Sequence, residues 1–286
     1  MPQLSESELA QNYGFAMAVL NSDPELKALF KKAVAETWTP ERFQALLRST
    51  KWYQNHSEQW RNAAILKASD PSTYKANVEQ VKVRLLMMAT ELGANLGSKA
   101  AALAEQAYQF GWDDNQIRQT LSTFIKYTDG RLLGQAGQWE TDLRALAQAQ
   151  GLRLSDSWFR NRITSAVAGK ATIDDVKHAI NSMAASAFPH LADRIRAGET
   201  LADIADPYRQ SMASLLELNP EAVGLDDRMV RGALASKDKD GNPAMKSLWE
   251  FENDVRQDKR WLKTSNAQDS AMSVTRKILS DFGLVN

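Results

Sequence analysis

Apolar residues in this chain recur at spacings of three and four, with polar residues between them, and this period persists almost from end to end. A spacing of 3.6 residues places those side chains on one face of a helix, so the pattern predicts helices rather than strands. Read between its breaks, the sequence predicts helices near 5–20, 24–36, 40–49, 56–68, 71–94, 98–110, 114–127, 137–149, 155–168, 172–187, 201–218, 226–236, 246–258 and 267–282. No run alternates with period two for long enough to build a sheet. The fold class expected is all-α, a multi-helix array with room for two helical subdomains.

The breaks carry helix-start chemistry. Asp23-Pro24, Thr39-Pro40, Asp70-Pro71 and Asp206-Pro207 each place Pro at a first helical position behind a capping side chain, and Asn219-Pro220 opens a shorter turn. Such a cap oxygen accepts an otherwise orphaned N–H, and Pro has no N–H to lose there. The longest helix, with Val78, Val81, Leu85, Met88 and Leu92 joined by Val83, Leu86 and Met87, is apolar around much of its circumference and is expected to be central and buried. Gly130 to Gly137 has three glycines in eight positions, which suits a link, and sets the expected division into 1–132 and 133–286. Ser236 to Pro243 reads as an exposed polar loop.

Two segments share a pattern of Ser or Thr, Phe four residues on, an aliphatic residue and Arg, a basic residue, Trp, and Asn or Thr. The first, within 39–55, is Thr39, Phe43, Leu47, Arg48, Lys51, Trp52 and Asn55. The second, within 247–264, is Ser247, Phe251, Val255, Arg256, Arg260, Trp261 and Thr264. The spacing predicts a capped helix with Phe and Leu or Val on one face, then a Trp plugging the connection to the next helix. Asn55 with Glu58 and Ser265 with Gln268 have the spacing of a capping box for that next helix. Phe43 with Trp52 and Phe251 with Trp261 are thus expected in equivalent packed positions. With Arg48 and Arg256 they form the structural and docking candidates. A weaker echo, an apolar or small residue followed at +5 and +9 by apolar ones, runs through Trp38, Phe43, Leu47; Trp112, Ile117, Leu121; Ala171, Val176, Ile180; and Leu225, Val230, Leu234.

Charge and composition narrow the function. Thirty-five Lys and Arg balance 35 Asp and Glu, so no long-range field draws the chain to nucleic acid or an anionic membrane. Gln59, Arg61 and Asn62 could face a groove of DNA, but zero net charge argues against a helix-turn-helix reader, and no sequence-specific nucleic acid partner is expected. Without Cys there are no disulfides, thiolate metal sites or cysteine nucleophiles. No apolar run approaches the ~20 residues that span a bilayer, and the N-terminus lacks a signal-peptide layout.

Site chemistry is sparse. His56, His178 and His190 are far apart and fit no metal-ligand spacing, no G-x-S-x-G elbow is present, and no glycine-rich phosphate loop occurs. Asp238, Asp240 and Gly241 resemble part of a calcium loop that would begin at Ser236, but its twelfth position is Ser247 rather than Glu. Glu36, Glu58 and Glu91 are the carboxylates nearest aromatic or apolar runs, and nothing in the spacing pairs them. No catalytic, metal or cofactor-binding residue, and no cofactor, is expected.

The stretch Tyr13-Gly14-Phe15, Ser22-Asp23-Pro24-Glu25-Leu26, Trp38-Thr39-Pro40, Thr50-Lys51-Trp52-Tyr53 and His56-Ser57-Glu58 resembles helical minor structural proteins of tailed bacteriophages of actinobacterial hosts. Leu248-Trp249-Glu250-Phe251, Arg260 to Ala267 and Asp281 to Val285 are similar to the same group. About half the chain is covered, mostly its ends. The resemblance implies a virion protein assembled in the host cytoplasm, with other virion proteins and further copies of itself as partners, and it supplies no catalytic residues. The expected function is therefore a non-enzymatic structural component of the tail, tail tip or portal region. The alternatives are a peptidoglycan-active cell-entry enzyme with a carboxylate pair, or a soluble helical adaptor.

Overall fold

In the computed structural model, which describes residues 5–282 apart from Gly14, Ala16 and Asp129, the chain is all-α. Its helices are α1 (Glu6–Asn12), α2 (Met17–Ser22), α3 (Pro24–Ala35), α4 (Pro40–Leu47), α5 (Lys51–Asn55), α6 (Glu58–Ser69), α7 (Pro71–Leu92), α8 (Ala100–Phe110), α9 (Asp114–Ser122), α10 (Gly134–Ala149), α11 (Asp156–Val167), α12 (Ile173–Ala187), α13 (Ala192–Arg196), α14 (Leu201–Leu216), α15 (Arg228–Leu234), α16 (Leu248–Gln257) and α17 (Ser265–Asp281). The one sheet among the described residues is a hairpin of β1 (Ser236–Lys237) and β2 (Pro243–Ala244), with Ser236 opposite Ala244. It lies where a polar loop was expected. The Asp238 carboxylate closes its turn by accepting from the backbone N–H groups of Asp240 and Asn242 at 2.9 and 2.8 Å, the oxygens a calcium loop would have needed.

Starts and stops follow local chemistry. Asp23, Thr39 and Asp70 cap α3, α4 and α7 ahead of Pro, as their spacing predicts. Seven helices, α3, α7, α8, α10, α11, α13 and α14, end on a left-handed residue whose successor donates its N–H five residues back, at 2.7–3.1 Å. Glycine takes that position in five of them, because it has no Cβ to clash there. Thr37 and Glu217 take it in α3 and α14. In α3, α8 and α11 that stop lies two or three residues before the cap of the next helix, and in α14 ten residues before it. This explains the echo noted above: Thr39, Asp113, Thr172 and Asp227 cap the following helices, and the +5 and +9 residues are all buried.

Several expectations need correction. The 5–20 helix is interrupted, with Tyr13 ending α1 and Met17 opening α2. Asp206-Pro207 is no helix start, because Thr200 with Asp203 makes a capping box six residues earlier and α14 runs through Pro207. α7 is not wholly buried: Tyr74, Leu85, Ala89 and Leu92 face inward, whereas Val83, Leu86 and Met87 are exposed. Within the glycine-rich stretch, Gly134 stands in a tight crossing with the end of α7, while Gly130 has open space around it. A Cβ on Gly93 would lie 1.8 Å from the Leu133 carbonyl oxygen, and one on Gly134 would lie 2.5 Å from that of Glu91.

The chain divides into two compact units, Met1–Gln138 with Thr164–Lys170, and Trp139–Ile163 with Ala171–Asn286. The first has an aromatic core on α1 to α6 that includes Tyr13, Phe30, Phe43 and Trp52. The second has a core on α12 to α16 built around Ile195, Tyr208, Met212, Val230 and Phe251.

Candidate functional site

In the first Trp segment, Thr39 caps α4 and turns Phe43 and Leu47 inward, so that Phe43 is fully buried. Phe43 and Trp52 do not meet ring to ring; Phe15 stands between them, its centroid 6.0 Å from each. Tyr13 stacks on the other side of Phe43 at 4.6 Å and donates its hydroxyl to the Trp38 carbonyl at 2.8 Å. Trp52 sits in the first turn of the short α5. There Glu25 of α3 accepts from the N–H groups of Lys51 at 2.8 Å and Trp52 at 3.4 Å, so a carboxylate from 26 residues upstream meets the positive end of the helix that carries the Trp.

Beyond Trp52 the aromatic series continues toward the surface. Trp60 of α6 meets Trp52 edge to face at 6.2 Å, and the His56 ring stacks on Trp60 at 3.7 Å. Nδ1 of His56 lies 2.8 Å from the Trp52 carbonyl, which can only accept, so Nδ1 carries the proton. Arg61 covers the Tyr53 ring at 3.7 Å and donates to the Tyr53 carbonyl. The expected capping box of Asn55 is replaced by Ser57, whose hydroxyl accepts from the Trp60 N–H.

Trp52 and Trp60 wall a cleft of about 290 Å³, together with Val19, Ala64, Lys67 and Gln109. That volume is at the lower limit of small-molecule sites and suits one ring or side chain. Its charged group is already engaged: Lys67 Nζ is 2.7 Å from Glu105, which also accepts from the Tyr74 hydroxyl at 3.1 Å, and Tyr74 in turn accepts from Gln109 at 3.0 Å. These donors, Lys67 foremost, hold the Glu105 carboxyl below its ordinary 4.5, which keeps it ionised and unsuited to donate a proton to a leaving group. A second cleft, of about 320 Å³, lies beside Trp38, Leu46 and Lys32.

The second segment starts alike and then diverges. Ser247 and Glu250 form a capping box, Phe251 and Val255 are fully buried, and Phe251 meets Tyr208 edge to face at 5.2 Å. Trp261, however, lies in a single turn of 3-10 helix, half-buried at the margin of the core. The expected equivalence of the two Trp positions therefore needs correction: one ring is inside an aromatic cluster and the other is at an edge. The reason lies in what each ring packs against: the partners of Trp52 are Phe15 between α1 and α2, His56 between α5 and α6, and Trp60 of α6, whereas Trp261 is followed by a helix with no buried residue among those described. Thr264, not Ser265, caps that helix. Arg48 is exposed and makes no ion pair among the described residues, and Arg256 pairs with Glu252 at 3.5 Å on the surface of α16.

The carboxylates weighed for hydrolysis are dispersed. Glu36 accepts from Trp38 Nε1 at 2.8 Å and from Arg42 at 3.4 Å, while Glu58 and Glu91 are exposed. Glu140 is the buried acidic residue among those described, and Arg144 meets it at 2.7 Å. His178 is on the surface, whereas His190 is half-buried and donates from Nε2 to the Leu234 carbonyl at 2.8 Å. No three His, Asp or Glu gather to hold a metal among the described residues, and no described helix is long and apolar enough to cross a membrane.

What sequence reasoning missed is the aromatic series Tyr13, Phe15, Trp60 and His56 around Trp52, and the exposed apolar faces of α7 and α17. The residues were visible, but their company was not. In comparison with known proteins, no family model, no curated protein and no solved structure matches the chain.

Proposed function

We propose that this chain is a non-enzymatic structural protein of a tailed-phage particle that works by packing against neighbouring proteins, including copies of itself. One observation carries the reading: large apolar side chains are exposed in groups on two helices, Val83, Leu86 and Met87 on α7 and Val274, Ile278 and Phe282 along α17, with Trp249, Leu262 and Met272 exposed nearby in sequence. Single exposed apolar residues are ordinary, but contiguous stripes on helices mark surfaces that another protein covers. The resemblance of both chain ends to minor structural proteins of actinobacterial phages supplies the setting, a virion.

The test is quantitative mass spectrometry of purified particles of the phage that encodes the chain, together with immunogold labelling. A constant copy number per particle and label at the tail or portal region supports the reading. Absence from purified particles overturns it. Clearing of a peptidoglycan gel by the folded protein, lost in a Glu→Gln variant, would instead establish the enzyme reading.

A further inference from the structure

We infer that α17 is a self-association element: two copies of the chain pair through α17 in antiparallel orientation, with the two-fold axis passing between Val274 and Thr275. The inference deepens the self-packing part of the proposed function and rests on it.

Among the described residues, the side-chain hydrogen bonds from α17 to another helix are all in its first turn. Its first turn is clamped to the end of α14, where the Glu217 carboxylate accepts from the N–H groups of Ser265 at 3.1 Å and Asn266 at 2.8 Å. The Asn266 amide donates back to the Ser214 carbonyl at 3.0 Å. Glu217 stands at the left-handed stop of α14, so one residue ends that helix and also meets the first N–H groups of α17, beside its cap Thr264. Over its whole length of 17 residues, clamp included, the helix has no buried residue. Yet it is amphipathic. Ala267, Ala271, Val274, Ile278 and Phe282, at spacings of four, three, four and four, fall within one narrow stripe, while Met272 and Leu279 lie on the flank of the helix beyond it. Met272, Val274, Ile278 and Phe282 are 50–76% exposed.

Side-chain size along the stripe selects the occupant. The stripe begins with two alanines and ends with Ile and Phe, so it is narrow near the clamp and broad at the far end. Antiparallel pairing about the point between Val274 and Thr275 sets Ala267 opposite Phe282 and Ala271 opposite Ile278. The two outer levels then join a small residue to a large one, the central level pairs Val274 with Thr275 of similar size, and the two axes stay evenly spaced.

Charge does not oppose this arrangement: Asp269 and Arg276 lie on the face away from the stripe, and in this register Lys277 is level with Met272 and Asp281 with Gln268. Parallel pairing would instead set Ala267 against Ala267 and Phe282 against Phe282, so the two axes would diverge along the pair. The charges on the helix, two acidic and two basic, sum to zero, which gives no preference for an anionic lipid surface. A helix of 17 residues is about 25 Å long, and two such faces bury on the order of 1,000 Å², the lower limit of a specific interface.

The absence of Cys makes the register directly testable in the full chain, because any disulfide must join introduced residues. Val274→Cys alone should form a disulfide dimer under mild oxidation, and Ala267→Cys mixed with Phe282→Cys should cross-link where Ala267→Cys alone does not. Sedimentation of the unmodified chain should show a concentration-dependent dimer. Ile278→Asp, on a surface exposed in the single chain, should raise its dissociation constant about a hundredfold while circular dichroism stays unchanged. Ready self-linking of Ala267→Cys would overturn the antiparallel register. An oligomer indifferent to Ile278→Asp would overturn this site while leaving self-packing intact. A chain monomeric at all concentrations would overturn both, and a monomer whose α17 instead binds phosphatidylcholine or phosphatidylglycerol vesicles would assign the stripe to lipid.

Discussion

At the scale of single residues, a few positions are fixed by backbone geometry or by a packed ring. Gly93 combines a φ of +81° with a neighbour that leaves no room for a methyl group. Gly93→Ala should therefore cost about 2–4 kcal/mol, read as a shift in denaturant midpoint at constant slope. Thr37 shows the converse. It holds a φ of +50° where the corresponding stops of α8, α11 and α13 have Gly, and its side chain is exposed, so Thr37→Gly should stabilise by about 0.5–1 kcal/mol. The two tryptophans should separate clearly. Trp52→Ala empties a site among Phe15, His56 and Trp60 and should cost about 3–5 kcal/mol, while Trp261→Ala, half-exposed to begin with, should cost less than half of that. Equal losses in chemical denaturation would restore the equivalence that the shared sequence pattern suggested.

At the scale of elements, the caps couple stability to pH. Glu8, Asp175, Asp203 and Glu250 each accept in a capping box, and their Ser or Thr partners hold all four carboxyls below their ordinary values. Asp70, which caps α7 and accepts from Ser72 and Thr73, is lowered to about 2. A carboxyl whose folded pKa is depressed contributes stability that is fully present above its unfolded pKa and lost as pH falls through the folded one. These ordinary values are 4.5 for Glu and 3.8 for Asp, so the helix starts should weaken from about pH 4.5 downward, with the α7 start retained until near pH 2. Hydrogen exchange across a titration, resolved by segment, should show the N-termini of α12, α14 and α16 losing protection before that of α7. The reverse order would contradict the assignment.

Much of this level was legible beforehand. Helix type, most spans and the caps at Asp23, Thr39, Asp70 and Ser247 follow from period and spacing, because a cap needs only its own next three residues. Pro207 was misread for the same reason: Asp-Pro is a helix-start dipeptide locally, and only the stronger box of Thr200 with Asp203 overrides it. The short α5 and α13 escaped notice because five residues carry too little period to detect.

At the scale of the whole molecule, the formal charge is zero and the surface retains grouped apolar side chains. Association driven by such surfaces has little long-range electrostatic component. The self-association constant should thus change less than about threefold between roughly 50 and 500 mM salt, whereas a charge-driven contact would weaken steeply. Sedimentation at several salt concentrations measures this directly. By itself the sequence determined what depends on neighbours in the chain: an all-α class, where helices begin and end, and which residues share a face. Only the tertiary structure decided which faces are covered, because burial depends on elements distant in sequence. That is why Trp52 is enclosed by Phe15 and Trp60 while Trp261 is left at an edge, why Gly134 marks a close crossing with the end of α7, and why the equally amphipathic α17 has its apolar stripe in the open.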